Sequence, residues 1–174
     1  MAEVNEDQLR LGYVEPCDGE SISHYLGRLR RLKANSLPSA YSLGQLAGLS
    51  ATLARWEKLH FNPFPSTEAL EALAKVVQVN ANRLMEMLPS KDKTHQPKPI
   101  KLCGACYAEV PCHRIEWQVK STKVLLGCDR HQLRLLSNCP GCKQPFPIPA
   151  QWVEGKCGNC SLPFSKMVKF QKPL

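Results

Sequence analysis

The chain lacks an apolar run long enough to cross a bilayer, and its first residues, Met1-Ala2-Glu3-Val4-Asn5-Glu6-Asp7, are acidic where a secretory leader is basic and then apolar. It also lacks a glycine-rich phosphate loop, a Gly-x-Ser-x-Gly elbow and a His-Glu-x-x-His pair. It has no heptad repeat on which a dimer could zip. These absences favour a cytoplasmic protein with no membrane partner and no enzymatic signature. In that compartment its nine cysteines read as metal ligands rather than disulfides.

Eight of the ligand candidates fall between Cys103 and Cys160, in four half-sites. They are Cys103-x-x-Cys106, Cys128-x-x-His131, Cys139-x-x-Cys142 and Cys157-x-x-Cys160. Two intervening residues make a tight knuckle that turns both side chains towards one ion. Taken in order, the half-sites close two tetrahedral zinc sites, one with three thiolates and an imidazole and one with four thiolates. Four protein ligands per ion leave no open position for a substrate, so the two Zn2+ ions read as structural. Cys112 and His113 stand as alternative ligands for the first site, ranked lower because neither has a partner two residues away. Cys17 and Cys112 are otherwise spare thiols, most simply buried small residues. The segment is rich in Pro and Gly and could bury little core unaided, so metal supplies the missing stability.

The net charge of +8 is unevenly spread. Residues 1–20 hold six acids against Arg10, residues 21–100 eleven Lys and Arg against five acids, and residues 101–174 eleven against four. Seven thiolates against two divalent ions leave about −3, which lowers the formal +7 of the last segment to roughly +4. A basic surface remains and suits an anionic partner such as nucleic acid, or simply a solvated face.

Residues 1–20 read as a flexible acidic arm with Leu9, Leu11, Tyr13 and Val14 available for docking. Ser21 is an N-cap, and Ile22, Tyr25, Leu26, Leu29 and Leu32 form one apolar face at helical spacing, with His24, Arg28, Arg31 and Asn35 opposite. Ser42 and Ser50 are candidate caps for two short helices that turn at Gly48-Leu49. Ser66 caps a helix carrying Leu70, Leu73, Ala74 and Val77, with Glu68 in its first turn, and Asn80 caps a last one carrying Leu84, Met85 and Leu88. Residues 89–99 form a polar, Pro-bearing linker. Beyond it, Trp117, Val119 and Val124 to Leu126 are strand or core positions, and Gln132 to Leu136 reads as a short helix shared by the two metal sites. The expected architecture is a mainly α N-terminal helix-turn-helix domain (21–88) followed by a small irregular α+β tandem zinc-binding domain of ribbon or finger type (100–174).

The helical half, from Leu46-Ala47 through Leu49-Ser50 and Arg55-Trp56-Glu57 to Val79-x-x-x-x-Leu84, resembles phage-repressor helix-turn-helix domains, with a shortened turn. That resemblance makes Thr52, Arg55 and Lys58 candidate readers of nucleic acid, and Arg114, in the zinc half, is a further candidate nucleic-acid contact. A wider resemblance rests on Gly19-Glu20-Ser21-x-Ser23-His24-Tyr25-Leu26-Gly27-Arg28-x-Arg30-Arg31, Leu102-Cys103-x-x-Cys106-Tyr107, Cys112-His113-Arg114-Ile115-Glu116-Trp117-Gln118 and Cys128-Asp129-x-His131. In these motifs the chain looks like the TniQ family, and is most similar to the short TniQ proteins of CRISPR-associated transposons with a single-protein RNA-guided effector. The resemblance implies a non-catalytic adaptor in target-site selection. It would bridge the RNA-guided effector and its guide RNA, on target DNA, to an AAA+ ATPase of TnsC type. Leu11 and Tyr13 would then be apolar anchors on that partner, and Arg28, Arg30, Arg31 and Lys33 contacts to phosphate or an acidic patch. The competing reading is a sequence-specific transcriptional regulator that binds DNA through residues 50–59.

Overall fold

A computed structural model describes residues 11–119 and 127–174. It is mainly helical, with one two-stranded sheet and two cysteine-rich clusters. Among the described residues six α-helices follow in order: α1 Ile22–Arg31, α2 Ala40–Leu46, α3 Thr52–Glu57, α4 Thr67–Val77, α5 Ala81–Met85 and α6 Gly104–Glu109. The strands are β1 Gly127–Cys128 and β2 Leu133–Arg134. No helix among the described residues is long and apolar enough to cross a membrane.

Helix starts follow side-chain capping. Ser21, Ser66 and Asn80 each accept a backbone N–H of the first turn, as their positions before apolar periodic runs require. Glu68 sits in the first turn of α4, where its own backbone N–H and the Ser66 hydroxyl hold its carboxyl below the usual range. Two expected caps differ. Ser39, not Ser42, caps α2, and Ser42 instead donates its N–H to the Ser39 hydroxyl. Ser50 has φ 44, a left-handed conformation that no N-cap adopts, so α3 begins only at Thr52. The reason lies in the turn: the N–H groups of Leu49 and Ser50 fold back onto the Gly44 carbonyl at 2.7 and 3.0 Å. Met85, expected on the buried face of α5, is 42% exposed. The helix ends there, and the following turn brings Met87 inward in its place.

The described residues form two apolar clusters. One gathers the faces of α1 to α5 around Tyr25, Leu26, Leu43, Trp56 and Leu73. The other is built on Tyr107, Trp117, Phe146, Trp152 and Phe164 and includes Leu59 from the helical half. Helix α1 is buried all round from Ile22 to Gly27: its apolar residues belong to the first cluster, and His24 packs against Trp152 of the second. Its far side is covered by a 3₁₀ turn, Pro149–Gln151. There Ser23 accepts the Ala150 N–H at 3.1 Å and donates to the Glu57 carbonyl at 2.5 Å, while Gly27 leaves the gap that admits the Ala150 backbone. The supposed polar face of α1 is therefore not a solvent face, and His24 is buried against Trp152.

Residues 11–20 are docked. Leu11 donates its N–H to Val76 and accepts from the Gln78 side chain, and Gly12 and Asn35 bond reciprocally. Leu9 lies outside the described residues, as do Val124, Leu125 and Leu126. Segment 89–99 is held by Gln118, whose side chain donates to the Gln96 and Pro99 carbonyls and accepts from Lys101. Residues 133–136 do not form the expected helix. Leu133 pairs with Cys128 and Arg134 with Gly127 in antiparallel register, and Leu136 bridges to Leu102. Three leucines in four residues carry no period that separates strand from helix.

Candidate metal centres

Each ligand pair is shaped by the turn that holds it. Three of the four half-sites use one device. The N–H four residues after the first ligand returns to that ligand's carbonyl: Gln132 to Cys128 at 2.8 Å, Lys143 to Cys139 at 2.8 Å and Ser161 to Cys157 at 2.9 Å. In all three the closing residue is left-handed, with φ of 53, 65 and 61. The fourth pair, Cys103 and Cys106, opens α6, where the same closure is the helical bond from Tyr107 to Cys103 at 3.0 Å. This closure is the reason a spacing of two residues aims both ligands to one side.

The turns bring the eight expected ligands into two groups, Cys103, Cys106, Cys128 and His131, and Cys139, Cys142, Cys157 and Cys160, with all donor atoms of a group within 4.8 Å of one another. In the first group His131 Nδ1 lies 3.2, 3.7 and 3.9 Å from the sulfurs of Cys106, Cys128 and Cys103, and the Cys106 and Cys128 sulfurs are 3.4 Å apart. In the second, Cys139–Cys160 and Cys142–Cys157 are each 3.5 Å apart. A tetrahedral zinc with Zn–S of about 2.3 Å sets its sulfurs about 3.8 Å apart, so both groups fit such an ion after small outward movements. The donor set is soft sulfur plus imidazole, which suits zinc. Cys103 is held down at about 5, first by hydrogen bonding with Cys106, and Cys142 at about 6, first by the Asn159 side chain.

Two supporting residues carry no motif in the sequence. Glu109 accepts from His131 Nε2 at 2.8 Å, which leaves Nδ1 unprotonated towards the sulfurs, and its second oxygen pairs with Arg130 at 2.7 Å. Gln171 accepts the Gly104 N–H at 2.8 Å and donates to the Arg134 carbonyl, joining the end of the chain to the first knuckle. Glu109 was discoverable only as a carboxylate three residues after a ligand on a short helix. Gln171 offered no signal.

Cys112 and His113 join neither group. His113 is fully buried with Nδ1 2.8 Å from the Ser21 hydroxyl, and its ring packs edge-on against Trp117 and Trp152. Burial pushes its pKa well below the ordinary histidine value. Trp117 is core, at 1% exposure.

The arginines chosen as partner contacts are mostly engaged internally. Arg28 forks onto the buried Glu20 carboxylate at 2.7 and 2.9 Å, and Glu20 also bonds His24 and the Cys17 N–H. Burial opposes the Glu20 charge, but the bonds from His24 and Arg28 outweigh it and hold the carboxyl below its usual range. Arg30 pairs with Glu57 at 2.5 and 3.0 Å. Arg31 donates to the Ala150 and Trp152 carbonyls. Arg114 spans Glu116 and the Asp18 carbonyl and lies over Gly19. Lys33 is exposed, as are Arg55 and Lys58, and the side chains of these three make no ion pair or hydrogen bond among the described residues, while Thr52 is half-buried. Leu11 is half-buried and Tyr13 is 52% exposed, its hydroxyl bonded to Glu15. Arg55 also borders an open groove of about 630 Å³ with His60, Phe61, Phe64, Lys91 and Lys93.

Segments 19–21 and 113–115, from two of the motif blocks singled out in the sequence, meet edge to edge. Ser21 donates its N–H to the His113 carbonyl at 2.8 Å, Ile115 donates to Gly19 at 3.0 Å, and Glu20 bridges to Arg114. No known protein-family model and no curated protein matches the chain.

Proposed function

We propose that the chain is a non-catalytic adaptor stabilised by two structural zinc ions, acting in transposition target-site selection as the TniQ family does. The observation that carries this reading is the meeting of the separated motif blocks. Residues 19–31 and 112–118, which bear the resemblance, interlock across α1 and join the helical half to the metal-binding half. Their unusual composition is then a requirement of a rigid two-part platform, not of a reacting centre. Four protein donors for each ion leave no coordination position for a substrate, and the zinc supplies folding energy alone.

On this platform the partner surfaces fall to side chains that reach the surface. Tyr13, with Leu11 beside it, supplies an apolar edge on the docked segment that an AAA+ ATPase could cover. The exposed cations Arg55, Lys58 and Lys93, with Lys91 over the Phe64 ring beside them, supply the face for guide RNA or target DNA, with Lys33 as a further cation. Arg28, Arg30, Arg31 and Arg114 serve instead to hold the platform together. A pull-down of the full chain with the ATPase in the presence of ATP tests the reading. Wild type should be retained and Leu11→Asp with Tyr13→Ala should lose at least tenfold in binding. Equal retention of both would remove the docked segment from the account.

The exposed Arg55 and Lys58 on α3 favour a second reading, a sequence-specific DNA-binding regulator. A gel shift against random duplex at varied salt separates the two. Strong preference for one sequence by the isolated chain supports the regulator, while weak, salt-sensitive binding without preference supports the adaptor.

A further inference from the structure

The groove beside α3 has two walls that meet only in the fold. One is the end of α3 and the turn after it. There Leu59 is left-handed, with φ 59, and fully buried in the second cluster, and the His60 N–H returns to the Arg55 carbonyl at 2.9 Å. The other is segment 89–97. It is pinned by Gln96, whose N–H donates to the Gln118 carbonyl and whose own carbonyl accepts the Gln118 side chain, and by the bridge from His95 to Val119. The space between the walls is about 630 Å³, the size that takes a small organic group. Two aromatic residues line it. Phe61 lies with its ring centre 5.1 Å from that of His95, and Phe64 carries the Lys91 ammonium over its face, 5.3 Å from the ring centre. Burial pushes His95 down to about 4, so its ring is neutral at neutral pH. Arg55 and Lys93 complete the lining with Lys91, and among the described residues no carboxylate lines the groove.

Cations set around aromatic faces, with no acid among them, suit a ligand that carries both a flat π-system and a negative charge. An unpaired nucleotide is that ligand. A duplex keeps its bases stacked inside and presents phosphates, for which an aromatic lining has no use. We propose that this groove binds single-stranded nucleic acid, with a base stacked on Phe64 and the flanking phosphates held by Arg55, Lys91 and Lys93. The proposal rests on the reading of this face as the nucleic-acid side, and narrows its ligand to an unpaired strand. Lys91 is exposed and lies on the Phe64 ring. As the base takes the ring face, the ammonium exchanges it for a phosphate, so the cation keeps a partner throughout. Phe61 packs against both apolar clusters and fixes the floor of the groove. Every base has a π-face, so such a groove tells unpaired from paired strands and is tolerant of sequence. RNA and an unwound DNA strand both present this chemistry, and the test separates them.

The test uses the full chain loaded with zinc and fluorescence anisotropy with labelled strands of about 12 nucleotides. The probes are oligouridine, oligothymidine, an abasic strand with the same number of phosphates, and a duplex of the same length. At one salt concentration, the better of the two base-bearing single strands should bind at least about fivefold tighter than the abasic strand and the duplex. Which of the two binds better names the source as RNA or DNA. Phe64→Ala should abolish the preference for the base-bearing over the abasic strand and leave the salt dependence unchanged. Lys93→Ala should keep that preference and lower the slope of log affinity against log salt by about 0.7. Should Phe64→Ala unfold the chain, Phe64→Leu, which keeps an apolar side chain without the ring, should lose the preference as well, and the wild-type comparison needs no variant. Equal binding of the base-bearing and abasic strands, a duplex bound as tightly as the single strand, or no binding of any probe overturns the proposal. Capture of the ATPase by a chain that shows no such preference would strike this groove and leave the adaptor standing. Single-strand binding without capture of the ATPase would do the reverse.

Discussion

Replacing Gly27 by alanine should destabilise this protein, although the same change in an exposed helix interior stabilises by roughly 1 kcal/mol. Gly27 lies in the middle of α1, against the 3₁₀ turn Pro149–Gln151. A Cβ built there would meet the Ala150 Cα at 2.6 Å and its carbonyl carbon at 2.8 Å, and these are backbone atoms that cannot rotate away. The turn must withdraw. In doing so it weakens the Ala150 N–H bond to Ser23, worth about 1 kcal/mol, and the Arg31 bonds to the Ala150 and Trp152 carbonyls, worth about 2 kcal/mol as a charge-assisted set. Overpacking adds about 1 kcal/mol or more. Set against the helix gain, the net loss is about 2–4 kcal/mol, which lowers Tm by roughly 5–15 °C in a chain of this size. Scanning calorimetry of the zinc-loaded protein reads it. Gly158→Ala, where the added Cβ meets nothing within 4 Å, should leave Tm within about 2 °C and serves as the control. A rise in Tm for Gly27→Ala would refute the close approach of α1 to this turn, and with it the rigid joining of the two halves.

Glu20→Gln should cost about 3 kcal/mol at pH 7, because it strands Arg28 and His24 around a buried site. Since the Glu20 carboxyl is held below its ordinary value of 4.5, its contribution is complete above that pH and is lost as pH falls through the folded value. The stability gap between wild type and variant, followed by urea unfolding, should therefore be level above about pH 5 and close only on the acid side. Glu109→Gln should weaken zinc affinity at the first site about 10–100-fold while leaving the saturating stoichiometry unchanged, as competition with a chelator would show. Arg55→Ala and Lys58→Ala should each lower the slope of log affinity for duplex or RNA against log salt by about 1, without a change in Tm; unchanged slopes would remove α3 from the nucleic-acid face.

The metal ligands were legible because their geometry is local. A spacing of two residues closed by a bond back to the first ligand is written in four contiguous stretches, so both clusters could be read before any fold was known. Ser21, Ser66 and Asn80 were legible as caps for the same reason. What escaped was set by partners distant in sequence. Arg28, Arg30 and Arg31 read as an outward basic face for phosphate or an acidic patch, but Arg30 finds Glu57 at the end of α3 and Arg31 finds carbonyls more than a hundred residues away. No helical period reports such a partner. The two-residue strands β1 and β2 were invisible because segments so short carry no alternation, and their pairing is imposed by the knuckle at Cys128. Ser50 has the chemistry of a cap, but it lost that role to a turn that folds onto Gly44. Its left-handed backbone is a tertiary consequence.

The central claim is that two closed zinc sites hold a non-catalytic platform together. Native mass spectrometry of the full chain, purified without chelator and paired with circular dichroism on the same sample, tests it most directly. Two zinc ions per chain are predicted, falling to one in Cys157→Ser and in Cys103→Ser, with loss of ordered structure when both are stripped. A fully folded chain carrying one zinc ion or none would contradict the account.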